Sequence, residues 1–144
     1  MIELKEICFD NFWNVIELDV YDNQKDFVAS NAISIAQSYV QPEYSPEAIY
    51  IDNQLVGFTM TGIDRDDHEY WIARLMIYKQ FQGHGYGRQA LEHIINKIKK
   101  DTSKHCIYLG VEPENHIAVK LYQDYGFECT GQICGHEQIM ILKY

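Results

Sequence analysis

The run WIARLMIYKQFQGHGYGRQALEHIINKIKK, Trp71 to Lys100, decides how the rest of the chain is read. Trp71 to Tyr78 is an apolar, strand-like stretch, and Gln82-Gly83-His84-Gly85-Tyr86-Gly87 is a glycine-rich turn. Leu91, Ile94, Ile95 and Ile98 then recur at helical spacing. A strand, a glycine turn and a helix in that order form an anion cradle. Glycines let a ligand reach the backbone with no Cβ in the way. The first N–H groups of the helix, helped by its dipole, point at negative charge. The stretch predicts a phosphate-bearing ligand.

Spacing narrows the ligand. No Gly-Lys-Ser/Thr follows, so this is not a nucleoside triphosphate loop with a side chain that holds magnesium. It is not Gly-x-Gly-x-x-Gly, because the third glycine comes one residue early, and a dinucleotide fold would place the turn after its first strand. The pattern Gln82-x-x-Gly85-x-Gly87, on a mid-chain strand–turn–helix unit, resembles the acetyl-coenzyme A pyrophosphate loop of the GNAT acetyltransferases.

On both sides of this unit the pattern is strand-rich. Ile2 to Ile7 alternates as a half-buried strand. Asp10 is placed to cap a helix through Leu18 with Phe12, Val15 and Ile16 on one face. A second helix, Val28 to Tyr39, carries Ala32, Ile35, Ala36 and Tyr39 on one face, and Pro42 and Pro46 punctuate the turn after it. Ala48 to Ile51 and Leu55 to Ile63 read as a hairpin around a polar turn, and 64–69 as a charged loop. Beyond the central helix, His105 to Val111 is a near-continuous apolar strand. Asn115 can cap a short helix that Gly126 ends, and Glu128–Ile133 and Gln138–Leu142 close the sheet as a hairpin.

The segment VEPENHIAVKLYQDYGF, Val111 to Phe127, carries a second resemblance to the GNAT signature, through Asn115, Ala118, Leu121-Tyr122 and Gly126-Phe127. The two motifs cover about half the chain. They imply the GNAT fold: a mixed, mostly antiparallel α/β sheet, splayed in a V between its two central strands, with helices on both faces. They also imply an acetyl-coenzyme A-dependent N-acetyltransferase with no metal. In this resemblance the backbone of Leu75, Met76 and Ile77 pairs with the pantetheine arm and polarises the thioester carbonyl. Gln82, Gly83, His84, Gly85, Tyr86 and Gly87 cradle the pyrophosphate, with Arg88 and Lys120 as cations near it. Asn115 holds the pantetheine, and the Tyr122 hydroxyl protonates the departing thiolate as general acid.

At finer grain, Leu55-Val56-Gly57-Phe58-Thr59-Met60, Arg74-Leu75-Met76-Ile77 and Ile107-Tyr108-Leu109 resemble bacterial spermine/spermidine N-acetyltransferases. That implies a polyamine acceptor. In the family the N-terminal helices border the acceptor, which nominates Glu17 and Asp22, with Glu69 and Glu112, as amine contacts. One departure stands out: Ala73 and Arg74 occupy positions where animal polyamine acetyltransferases carry acidic residues. The base that takes the amine proton stays open among Glu112, His116, Glu69 and His84. Other acceptors consistent with the family are protein N-termini and other small amines; a non-catalytic coenzyme A sensor is the reading outside catalysis. Homodimers are common in the family.

The bulk sequence agrees. A chain of 144 residues suits one domain with a single buried core. Net charge is −9, from 12 basic and 21 acidic residues, which disfavours nucleic acid and anionic membranes and suits a cationic substrate. With no signal-like or membrane-spanning run, a cytoplasmic protein is expected. Cys8, Cys106, Cys129 and Cys134 lack zinc spacing and are expected as buried free thiols.

Overall fold

A computed structural model describes all residues, 1–144. Its strands are β1 (Ile2–Glu6), β2 (Tyr44–Ile51), β3 (Gln54–Ile63), β4 (Tyr70–Ile77), β5 (Cys106–Val111), β6 (Glu128–Cys134) and β7 (Glu137–Lys143). Its helices are α1 (Phe12–Glu17), α2 (Asn31–Val40), α3 (Tyr86–Lys99) and α4 (His116–Asp124). The strands form one seven-stranded sheet in the order β1-β2-β3-β4-β5-β7-β6. Every neighbouring pair is antiparallel except β4–β5, which is parallel. This is the mixed, mostly antiparallel sheet that the two motifs implied.

Two local choices build the first half. Asp52 and Asn53 both adopt positive φ, 48° and 68°, as a two-residue type I′ hairpin between β2 and β3 requires. Pro46 lies inside β2, opposite Met60, rather than in a turn. It is tolerated because β1 ends its pairing at Glu6↔Glu47, so β2 has no outer neighbour there.

The splay follows from a bulge. Met60 faces Arg74 and Thr61 faces Ile72, which leaves Ala73 as an extra residue on β4. From that point β4 and β5 part, since they pair only over Tyr70↔Ile107, Trp71↔Tyr108 and Ile72↔Leu109. Both faces of the sheet are covered. Leu91, Ile94, Ile95 and Ile98 of α3, with Tyr122 of α4, pack on Ile107, Leu109 and Met140. On the opposite face Val15 of α1 packs with Ala48, Phe58, Met60 and Met76.

Three expectations change. Asn11, not Asp10, is the residue before α1, and its side chain serves the preceding turn, accepting from the Cys8 N–H and donating to the Glu6 carbonyl. Helix α2 turns polar residues inward: Asn31 and Ser34 are buried, while Tyr39 is 88% exposed. Asn31 Nδ2 donates to the Val15 carbonyl at 2.9 Å, a second bond on a group that also accepts from the Leu18 N–H, and so pairs its own buried amide. Lastly, Cys8, Cys129 and Cys134 are exposed and only Cys106 is partly covered, because the first lies in a turn and the next two on the outermost strand.

Candidate active site

The sequence around the splay makes a cleft in two connected parts. The first, of about 490 Å³, is lined by the β4 end, the glycine turn and α4. The second, of about 360 Å³, lies where β4 and β5 have parted. Leu75, Asn115, Ala118 and Tyr122 line both, so Tyr122 sits at their junction.

The larger part has the composition of a coenzyme site. Gly83 and Gly85 hold φ of +84° and +79°, and a Cβ at either would meet nothing within 4 Å. The glycines therefore permit the left-handed turn and leave open space where a ligand can lie. The first backbone N–H of this region with a protein acceptor is that of Gln89, which donates to the Gly85 carbonyl. The N–H groups at the start of α3 before it are free to meet an anion, as at any helix start. Arg88 and Lys120 both reach Asp124, at 2.9 and 3.3 Å, so two cations share one carboxylate beside the cradle. The residues present thus fit a pyrophosphate.

Gln82 fixes the turn from behind. Its Nε2 donates to the Ile77 carbonyl and to Gln24 Oε1, while Gln24 Nε2 donates back to Gln82 Oε1, all at 3.0 Å. The Asp22–Gln24 turn is thereby tied to the cradle. The β4 backbone also suits a linear arm. The Tyr78 N–H bonds to Val56 of β3, so the strand alternation turns the Leu75 and Ile77 peptide groups towards the splay.

Tyr122 owes its position to the end of α4. The Phe127 N–H donates to the Tyr122 carbonyl and the Gly126 N–H to Gln123, with Gly126 at φ +97°. This is the Schellman ending that Gly126 foreshadowed, completed by the Tyr122 and Phe127 rings at 5.8 Å. Asn115 opens the same helix by accepting from the Ala118 N–H at 3.4 Å. Burial, with the charge of Glu137 added, pushes the Tyr122 phenol up to about 12, so it keeps its proton at neutral pH.

The candidate residues divide by place. Leu75, Met76, Ile77, Gln82, Gly83, Gly85, Tyr86, Gly87, Arg88, Asn115 and Lys120 all line the larger cavity. The His84 ring is exposed, stacks on Tyr86 at 5.5 Å and leans on the Phe81 and Gln82 carbonyls, which leaves its backbone for the cradle. Of the four acceptor candidates only Glu112 lines the smaller cavity. Glu17 lines a neighbouring pocket with Asp19 and Lys25, which meets the cleft only at apolar residues such as Val28. Asp22 is captured by Lys25 three residues on, at 3.1 Å, which holds its carboxyl below the usual range. Glu69 lies before the paired end of β4, where Cys106 Sγ donates to it at 3.2 Å; the splay has not yet opened there.

The smaller cavity adds Asp26 and Glu137, which the sequence did not single out, and Arg74, noted there as a departure; Phe27 lines both parts. Arg74 Nη1 donates to the Ala73 carbonyl and Nη2 to Gln37, but its buried Nε has no partner. Glu137 is brought from β7 over Gly110, so closely that a Cβ at Gly110 would lie 2.7 Å from its Oε1. The one signal for it was that glycine, since a glycine in an apolar strand marks close approach by another group.

Comparison with known proteins agrees with this geometry. A probable spermine N(1)-acetyltransferase of Bacillus subtilis subsp. natto (strain BEST195) is 29% identical over 147 residues, covering 97% of each chain. The spermine/spermidine N(1)-acetyltransferase of Bacillus subtilis (strain 168) is 28% identical over the same length and coverage. A spermidine N-acetyltransferase from Vibrio cholerae, solved with CoA and spermine, shares the fold with a TM-score of 0.76 at 18% identity, covering 99% of this chain and 95% of that one. Residues 3–127 match the acetyltransferase (GNAT) family, and the chain belongs to that family of acetyl-coenzyme A-dependent acetyltransferases.

Proposed function

We propose that the chain transfers the acetyl group of acetyl-coenzyme A to a primary amine of a spermine- or spermidine-type polyamine, by direct attack in a ternary complex. The observation that carries this reading is the joined cleft, in which an anion cradle and a carboxylate-bearing pocket meet at one tyrosine. Full-length similarity to polyamine acetyltransferases supports the choice of acceptor.

In this reading each residue has a separate task. An alkylammonium, with a pKa of about 10.4, must lose a proton before it can attack. Glu112, partly exposed on the smaller cavity, takes that proton through water. The Leu75 N–H, turned into the splay, polarises the thioester carbonyl as an oxyanion donor. Tyr122, protonated at neutral pH, gives its proton to the departing thiolate sulfur. The helix start holds the pyrophosphate, on a turn that Gln82 braces from behind, and so sets the depth of the arm.

Arg74 favours a second reading. A guanidinium in the smaller cavity suits an acceptor that carries an anion beside its amine, such as an amino acid or a peptide. Release of free thiol from acetyl-coenzyme A separates the two when run with spermine, spermidine, putrescine, amino acids, an aminoglycoside and N-terminal peptides. Turnover confined to the polyamines is expected. Faster turnover of an amino acid or peptide overturns the polyamine reading and selects the second.

A further inference from the structure

We propose that Glu137 is the residue that receives the ammonium group of the acceptor, and so determines its specificity; this rests on the amine-acetylating function given above. Four observations converge on it. Glu137 lies at the start of β7, beside the β6–β7 turn, and its carboxylate reaches across Gly110 to the opening between β4 and β5. It lines the smaller cavity together with Tyr122, and its charge is felt at the Tyr122 hydroxyl. It forms no hydrogen bond or ion pair with the protein, although burial raises its pKa; of the charged groups facing it, Arg74 of β4 opposes that rise and Glu112, after β5, adds to it. Arg74 does not neutralise it by contact: its two Nη groups donate to Ala73 and Gln37, and no ion pair joins it to Glu137.

A half-buried carboxylate without a partner costs free energy unless a cation is supplied. Here the cavity opens a route for one. Beyond Glu137 lies a further groove of about 570 Å³ lined by Trp71, Gln132, Ile133 and Cys134. It shares Ile72, Ala73, Arg74, Gly110 and Glu137 with the smaller cavity. The carboxylate therefore lines both the cavity that holds the tyrosine and the further groove. A long amine can lie in that groove with one nitrogen against Glu137 and its terminal nitrogen towards the thioester. Gly110 is part of the same device, since any side chain there displaces the carboxylate.

Steady-state kinetics on the wild type, Glu137→Gln, Glu137→Asp and Gly110→Ala test this. With spermidine, Glu137→Gln is expected to raise the amine KM at least about tenfold, the size of a lost charge-assisted hydrogen bond, with the acetyl-coenzyme A KM unchanged. Gly110→Ala should shift the amine KM in the same direction by steric displacement alone, and Glu137→Asp should restore part of the loss. An unchanged spermidine KM in Glu137→Gln overturns the proposal. An equal rise in both KM values also overturns it, because that reports a general distortion. The comparison is run on whichever amine the wild type turns over fastest. A non-polyamine acceptor whose KM still rises in Glu137→Gln sustains the role of Glu137 while the polyamine reading falls.

Discussion

The coenzyme half of the cleft is built from backbone and largely from one contiguous segment, whereas the acceptor half is built from side chains that arrive from five separate places. Positive-φ glycines, free N–H groups and the β4 edge form the first. Asp26, Arg74, Glu112, Tyr122 and Glu137 converge on the second from the α1–α2 connection, β4, the end of β5, α4 and β7. A backbone cradle needs a fixed local spacing, so it leaves a pattern in the sequence. A side-chain pocket needs only that the fold bring the right groups together, so its members can lie anywhere along the chain. In the proposed function the first half fixes what is transferred, and the second is where acceptors are distinguished.

Breaking the backbone half should have the largest effect. Gly85→Glu places a bulky anion in the open space above the turn and imposes a left-handed φ on a non-glycine residue. Acetyl-coenzyme A affinity, measured by calorimetry, should fall at least about 100-fold, or 2.7 kcal/mol. Retained tight binding would place the cradle elsewhere.

At the junction of the halves, Tyr122→Phe keeps the ring that packs on Phe127 and removes only the hydroxyl. The expected outcome is a kcat lowered by roughly 10²- to 10³-fold, with the coenzyme dissociation constant unchanged. A wild-type kcat would remove Tyr122 from the proton transfer. A weaker effect is expected at the rim of the cradle. Arg88 is about half exposed and already paired with Asp124, so Arg88→Ala should weaken coenzyme binding only roughly two- to five-fold. A loss as large as that of Gly85→Glu would show that side chains, not backbone, dominate this half.

The smallest effect sharpens the acceptor half. Burial raises the Glu137 pKa above its ordinary value of 4.5, so the folded state holds that proton more tightly than the unfolded chain does. Stability from this group is therefore lost as pH rises from about 4.5 through the raised folded value. Glu137→Gln should melt slightly higher than wild type at neutral pH and no higher below pH 4.5. Melting curves at both pH values check this; a lower melting temperature at neutral pH would mean that the carboxylate stabilises the fold.

What was legible in the sequence follows the same division. Gln82, Gly85, Gly87, Asn115 and Gly126 each act through a backbone requirement at fixed spacing, and the fold places the first four on the coenzyme cavity. The mixed, mostly antiparallel sheet and its splay followed from the same motifs. The inward face of α2 was not legible, because Asn31 is buried with its amide paired to a carbonyl of α1, and hydropathy alone turns such a residue outward. The resemblance nominated Glu17 and Asp22, and charge Glu69, but Lys25 and Cys106 engage the latter two and none lines the smaller cavity. Glu137 lies 27 positions from Gly110, the residue whose missing side chain makes room for it, so no local pattern connects them.

In the proposed mechanism the two half-sites hold both reactants at once around Tyr122. Initial rates measured over a grid of acetyl-coenzyme A and spermidine concentrations test this most directly. Direct transfer in a ternary complex predicts double-reciprocal lines that intersect, with acetylspermidine as product. Parallel lines, together with an acetylated form of the protein isolated in the absence of amine, would contradict it.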